Sequence, residues 1–163
     1  MKKIFFTAAL FYSMSVFSQI TTVDIQASGL TCSMCSNAIN KALKSLDFVH
    51  KVEANIKNSS FEITFKDHGN VDFEKLKKKV EDAGFSVASF SATMLFNNVM
   101  IKSGEEISVG DKKFHFINMK DQLLNGLKTI TVIDKGFVSS KEYKKYPVTV
   151  SNGLKIYHVI MKG

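Results

Sequence analysis

Two cysteines, Cys32 and Cys35, are the residues of this sequence whose type and spacing could do chemistry. They lie in the segment 29–35, which is GLTCSMC, and the chain has two cysteines in all. A disulfide framework for a small secreted domain normally uses more cysteines at wider spacings, and closing so short a loop adds little stability. The pair therefore points to metal binding or to redox chemistry.

The chemistry of the two thiols favours a soft metal ion. The thiolate is the form of cysteine that binds a metal, and thiolate sulfur selects soft ions. Structural zinc usually has four protein ligands, whereas no histidine or aspartate lies beside this pair. We therefore predict a site formed by Cys32 and Cys35 for Cu(I), with Hg(II) or Ag(I) next and Zn(II) behind.

The elements around the cysteines are a strand and a helix. Residues 23–27 alternate as a strand does, and apolar residues of the segment 36–46 fall on one helical face. Cys32 then lies in the connecting loop and Cys35 near the first helical turn. The free N–H groups and positive dipole end of a helix N-terminus lower the pKa of a thiol, so the position suits the chemistry.

The pattern continues as β-α-β-β-α-β over residues 22–91. Residues 49–56 and 61–66 alternate as strands, residues 72–83 carry a helical apolar stripe with Asp72 as a plausible N-cap, and a strand begins at Ser86. This order is the split βαβ, ferredoxin-like arrangement, with a four-stranded antiparallel sheet covered on one face by two helices.

With the cysteine motif, this order resembles the heavy-metal-associated (HMA) domain family, which includes copper chaperones and a periplasmic mercury-binding protein. The family pattern is Gly-Met-Thr-Cys-x-x-Cys after the first strand, and this chain has Leu30 in place of the methionine. The segment 82–85, DAGF, resembles a second family landmark, which implies that Phe85 shields the metal site. The resemblance implies a non-enzymatic metal carrier that passes its ion by thiolate exchange to a metal-transporting protein partner.

The remainder of the chain, residues 92–163, has a different residue pattern and resembles no family that we recognise. It contains strand-like segments separated by glycines, and residues 139–145 predict one short helix. We expect a small, mostly β domain of unknown role, either an OB-type barrel or a β-sandwich. The predicted fold class is α+β, with an HMA-like domain at residues 19–91 followed by this β-rich domain.

The first 18 residues are typical of a secretory signal peptide. Lys2 and Lys3 form a positive start, an apolar stretch follows to Phe17, and cleavage after Ser18 would leave Gln19 as the first mature residue. The alternative is an uncleaved anchor, although the apolar stretch is short for a membrane span. No later segment is long and apolar enough to cross a bilayer, so we expect a periplasmic or secreted protein.

The charge argues against nucleic acid as a partner. The formal net charge of the chain is +7, or about +5 without Lys2 and Lys3, and every basic residue is a lysine. Bidentate recognition of phosphates and guanines depends heavily on arginine. The lysines are more typical of a solvated surface.

Two other functions use the same features. An exported CxxC pair also suits a thiol–disulfide redox protein, although such proteins carry an aromatic residue before the first cysteine, where this chain has Thr31. An HMA fold could also serve as an interaction module without metal. In the second half, His115 with Met119 and His158 with Met161 could form an auxiliary copper site, but residues spaced in this way along a strand lie far apart.

Overall fold

The computed structural model describes residues 19–30, 32–67, 71–146 and 156–162. Its elements are β1 (Gln19–Ser28), α1 (Ser33–Lys44), β2 (Val49–Asn55), β3 (Ser60–Phe65), α2 (Phe73–Asp82), β4 (Ser86–Ile101), β5 (Glu106–Val109), β6 (Lys112–Phe116), β7 (Gln122–Val132), α3 (Ser140–Tyr143) and β8 (Ile156–Met161). The predicted signal peptide, residues 1–18, lies outside the described residues.

The first half has the predicted β-α-β-β-α-β order. β1 lies between β3 and β4 and pairs antiparallel with both, and β2 pairs antiparallel with β3. The alternation of β3 buries Phe61, Ile63 and Phe65 on one face. α2 begins as predicted, because the side chain of Asp72 accepts a hydrogen bond of 3.1 Å from the backbone N–H of Lys75. The ferredoxin-like prediction is confirmed for this half.

The second half continues the same sheet. The order of the eight described strands is β2-β3-β1-β4-β7-β8-β6-β5. β4 joins the halves, since it pairs with β1 through Ser86–Leu95 and with β7 through Ser91–Ile101. The predicted OB-type barrel or sandwich is not confirmed, because β5 to β8 extend an existing sheet instead of closing one of their own. The proposed boundary near residue 91 falls inside β4, and the division into two domains stays a prediction.

An aromatic cluster packs α2 against both halves. Phe73 begins α2, and its ring centroid lies 4.9 Å from that of Phe90 in β4 and 5.2 Å from that of Tyr157 in β8. Phe114 and Phe137 complete the cluster, and all five side chains are buried. One continuous core therefore holds the first strand–helix junction and the C-terminal strands in a single body.

Candidate metal centre

The cysteine segment occupies the junction between β1 and α1. β1 ends at Ser28, and Gly29 takes a φ of +79°, a left-handed conformation in which a side chain would be strained. Leu30 packs partly buried against the core, as expected of an apolar residue at the family's methionine position. This contact fixes where the chain leaves the sheet and so where the helix begins.

Cys32 is the N-cap of α1. Its backbone is extended, at φ −143° and ψ 154°, and its carbonyl accepts a hydrogen bond of 3.3 Å from the N–H of Ser36. Its sulfur accepts a hydrogen bond of 3.3 Å from the backbone N–H of Cys35. An N-cap side chain normally satisfies a free N–H of the first turn, and here a thiol sulfur has that role.

Both cysteines are free thiols, with Cys32 exposed and Cys35 half-buried. The Cys35 side chain and backbone N–H hydrogen-bond to Cys32 and lower the pKa of its thiol below the ordinary value. The same side-chain hydrogen bond raises the pKa of Cys35, and loss of solvation adds to that rise. The pair therefore ionises in two steps, with Cys32 as the first thiolate and Cys35 holding the shared proton.

A small open groove adjoins Cys32, with a volume of about 130 Å³. Leu30, Cys32, Ser33, Ser36, Ile56 and Ser59 line it. Two apolar side chains near the cysteines face solvent: Met34 is 82% exposed and Ile56, in the turn after β2, is 63% exposed. These two side chains form an exposed apolar rim beside the cysteines, and Ile56 also lines the groove.

Phe85, predicted to shield the site, lies just after α2. It is half-buried and packs against the core, and its N–H donates to the carbonyl of Val80 at 3.2 Å. Phe85 is not among the residues that line the groove at Cys32, so its shielding role stays a prediction. Within the described ranges, no set of three or more His, Cys, Asp or Glu residues is arranged to hold a metal.

The second half holds a polar cluster that sequence reasoning missed. His115 and His158 are direct partners in the parallel pairing of β6 and β8, and their ring centroids lie 5.7 Å apart. The Nδ1 of His158 lies 2.8 Å from Oδ1 of Asp134. The predicted partner of His115, Met119, is instead buried in the core. No local pattern could have revealed this cluster, because strand register alone brings its members together.

Comparison with known proteins identifies the first half. The family model described as heavy-metal-associated domain matches residues 24–86. The mercuric transport protein periplasmic component of Pseudomonas fluorescens is 34% identical over 70 residues, which are 43% of this chain and 76% of that protein. The chain belongs to the heavy-metal-associated domain family. The copper chaperone CopZ of Staphylococcus epidermidis is 32% identical over 68 residues, covering 42% of this chain and 98% of that protein.

Two other similarities have a comparable extent. A probable copper-exporting P-type ATPase of Archaeoglobus fulgidus is 34% identical over 70 residues, and the match spans only 9% of that protein. The crystal structure of oxidized MerP from Ralstonia metallidurans CH34 is 33% identical, covers 43% of this chain and 96% of that chain, and gives a TM-score of 0.38. The family match ends where β4 begins, so the strands β5 to β8 lie outside it.

The helices of the described residues were compared with what a membrane-spanning helix requires. None of the helices within them combines the length and the apolar character that a membrane crossing requires.

Proposed function

We propose that this protein is a metal carrier that binds one Cu(I) ion between the thiolates of Cys32 and Cys35. The observation that carries the proposal is the hydrogen bond from the Cys35 N–H to the Cys32 sulfur at the start of α1. It orients one soft ligand over the helix N-terminus, with a second thiol three residues further on. A soft ion can then take the place of the shared proton and bind both sulfurs.

The charge of the complex supports Cu(I) over Hg(II). Two thiolates with Cu(I) carry a net charge of −1, whereas two thiolates with Hg(II) are neutral. The first turn of α1 contains no acidic residue, so its positive dipole end is not offset there. The dipole stabilises a negative charge at a helix N-terminus, and of these two complexes the one with Cu(I) carries such a charge.

The exposure of the site allows the metal ion to be transferred to a partner protein. Cys32 faces solvent beside an open groove, so the thiolate of a partner can approach the ion before either protein ligand leaves. We propose that the partner is a metal-transporting protein with similar cysteine ligands, met through the apolar rim of Met34 and Ile56. Both side chains are mostly exposed beside the cysteines, where they suit a transient docking contact.

The test uses the reduced full chain and its Cys32→Ser, Cys35→Ser double variant. In competition with a Cu(I) chelator, the parent should bind one equivalent, and the variant should lose affinity by about a thousandfold or more because oxygen ligands are hard. Ser33→Ala is the matched control, since it lies between the cysteines and should bind as the parent does. Equal affinity of the double variant and the parent would show that the site is wrong.

We also propose that the protein is exported. The positive start and apolar stretch of residues 2–17 support this, as does the similarity to a protein named as a periplasmic component. Mass spectrometry of the protein from a fractionated bacterial host should find it outside the cytoplasm with Gln19 as its first residue. An intact N-terminus in the cytoplasmic fraction would contradict export.

A further inference from the structure

We propose a second metal site, formed by His115 and His158 in the C-terminal strands, that takes a divalent ion bound by imidazole, with Cu(II) the tightest. The site is separate from the cysteine pair in both place and chemistry. The first is a soft thiolate site at the β1–α1 junction, and the second is a pair of nitrogen ligands on β6 and β8.

The pairing of the two strands places the two rings close enough to share one ion. A metal bound to an imidazole nitrogen at about 2.0–2.1 Å lies roughly 3.2 Å from the ring centroid, so two rings sharing one ion have centroids from about 4.5 Å apart, when the two bonds form a right angle, to about 6.4 Å apart, when they are opposite. The centroids of His115 and His158 are 5.7 Å apart, with ring planes inclined by 67°. The rings therefore do not stack face to face, and their separation lies within the range that a shared ion allows.

Asp134 fixes the orientation of His158. Its Oδ1 lies 2.8 Å from Nδ1 of His158, and its Oδ2 accepts the backbone N–H of His158 at 2.9 Å. When Nδ1–H donates to the carboxylate, Nε2 keeps its lone pair for a metal. A carboxylate behind a histidine in this way orients the ring and strengthens it as a ligand.

The backbone holds this arrangement rigid before any ion arrives. The carbonyl of His158 accepts a hydrogen bond of 2.9 Å from the N–H of Ile133, while its N–H is held by Asp134. The side chains of His158 and Asp134 are only 12% and 21% exposed. Tyr157 and Val159, on either side of His158, are buried in the core, so His158 must point to the other face of the sheet.

His115 lies on that same face, because its neighbours Phe114 and Phe116 are buried. Among the described residues, charged neighbours of His115 include Glu106, its cross-strand partner in β5, and Lys113, which pairs with Glu106 at 3.4 Å. The Lys113 charge is thus offset by an anion. Imidazole suits copper, zinc and nickel, and Cu(II) binds most tightly in the divalent series. Water completes the coordination of a two-histidine site.

The experiment titrates Cu(II) into the full chain carrying Cys32→Ser and Cys35→Ser, so that thiols neither bind nor reduce the ion. Electron paramagnetic resonance should show one equivalent of Cu(II) with nitrogen ligands. Adding His115→Gln should weaken binding by at least about tenfold, and Asp134→Asn by about 10–100-fold. Zn(II) should bind the same site more weakly than Cu(II).

The matched control is His50→Gln, since His50 is exposed on β2 at the far edge of the sheet; it should leave the affinity unchanged. If His115→Gln binds Cu(II) as tightly as His50→Gln does, the proposed site is wrong and the His158–Asp134 pair is structural only. His115→Gln decides the question even if His158→Gln fails to fold. Because the background lacks both cysteines, the outcome is independent of the Cu(I) proposal.

Discussion

The backbone N–H of Cys35 donates a hydrogen bond of 3.3 Å to the sulfur of Cys32, the N-cap of α1. A hydrogen bond from the Cys35 side chain reaches the same sulfur, and together the two contacts make chemically identical thiols unequal. The side-chain hydrogen bond, and after it the backbone contact, lowers the pKa of Cys32, whereas the same side-chain hydrogen bond raises the pKa of Cys35. A site that ionises stepwise keeps one thiolate ready and releases the second proton when a metal arrives.

Cys32 should be alkylated at lower pH than Cys35. Only the thiolate reacts, so the rate for Cys32 should reach its midpoint below pH 9.0, the ordinary thiol value, and the rate for Cys35 above it. Peptide mapping by mass spectrometry after timed iodoacetamide treatment measures both rates. Cys35→Ala should raise the Cys32 midpoint, because the main donor to its thiolate is lost, and Cys35→Ser should raise it less. Identical profiles for the two cysteines would contradict the assigned asymmetry.

Thiol–disulfide turnover should be weak. Redox proteins with a CxxC pair carry an aromatic residue before the first cysteine, where this chain has Thr31. In an insulin reduction assay, the full chain should add little to the rate of dithiothreitol alone. Rapid turnover that Cys32→Ser abolishes would support the redox function instead.

Phe73→Ala should destabilise both halves of the protein together. The ring is fully buried and contacts Phe90 in β4 and Tyr157 in β8, and removing such a ring costs about 3–5 kcal/mol of unfolding free energy. Urea unfolding followed by helix circular dichroism and by tyrosine fluorescence should shift to the same lower midpoint. Phe73→Leu, which keeps most of the apolar volume, should cost less. A tyrosine transition left at its original midpoint would show that the halves unfold separately.

Tyr157 should make the fold sensitive to alkaline pH. Burial, reinforced by the negative charges of Glu74 and Asp72, raises the pKa of its hydroxyl well above the ordinary 10.0. Because the folded state favours the neutral phenol, this contribution to stability is complete below pH 10.0 and is lost progressively as the pH rises above it. The unfolding free energy of Tyr157→Phe should therefore fall less steeply above pH 10 than that of the parent. Parallel slopes for the two proteins would contradict the assignment.

Local sequence determined much of the first half. The alternation of residues 61–65 determined the buried face of β3, and the short side chain of Asp72 determined where α2 begins, since both effects act within a few residues. The cysteine pair was visible for the same reason: the N-cap and the residue three positions later meet by helix geometry alone.

The joining of the two halves could not be predicted in this way. The sequence predicts a strand that begins at Ser86 and a domain boundary after residue 91, but the structure has one strand, β4, of 16 residues that runs across this boundary. Its length depends on β1 and β7, which pair with its two ends from distant parts of the chain. The local sequence does not show which strands will pair through backbone hydrogen bonds. The partners of β4 are therefore known only from the folded sheet.

The sequence by itself therefore determined the Cys32–Cys35 pair, its place at a strand–helix junction and the family of the first half. Only the tertiary structure decided that Phe73 packs the halves into one core and that His115, Asp134 and His158 meet. The physical reason is the range of the interactions: capping and periodicity act over one or two turns, whereas core packing and strand register join residues far apart in the chain.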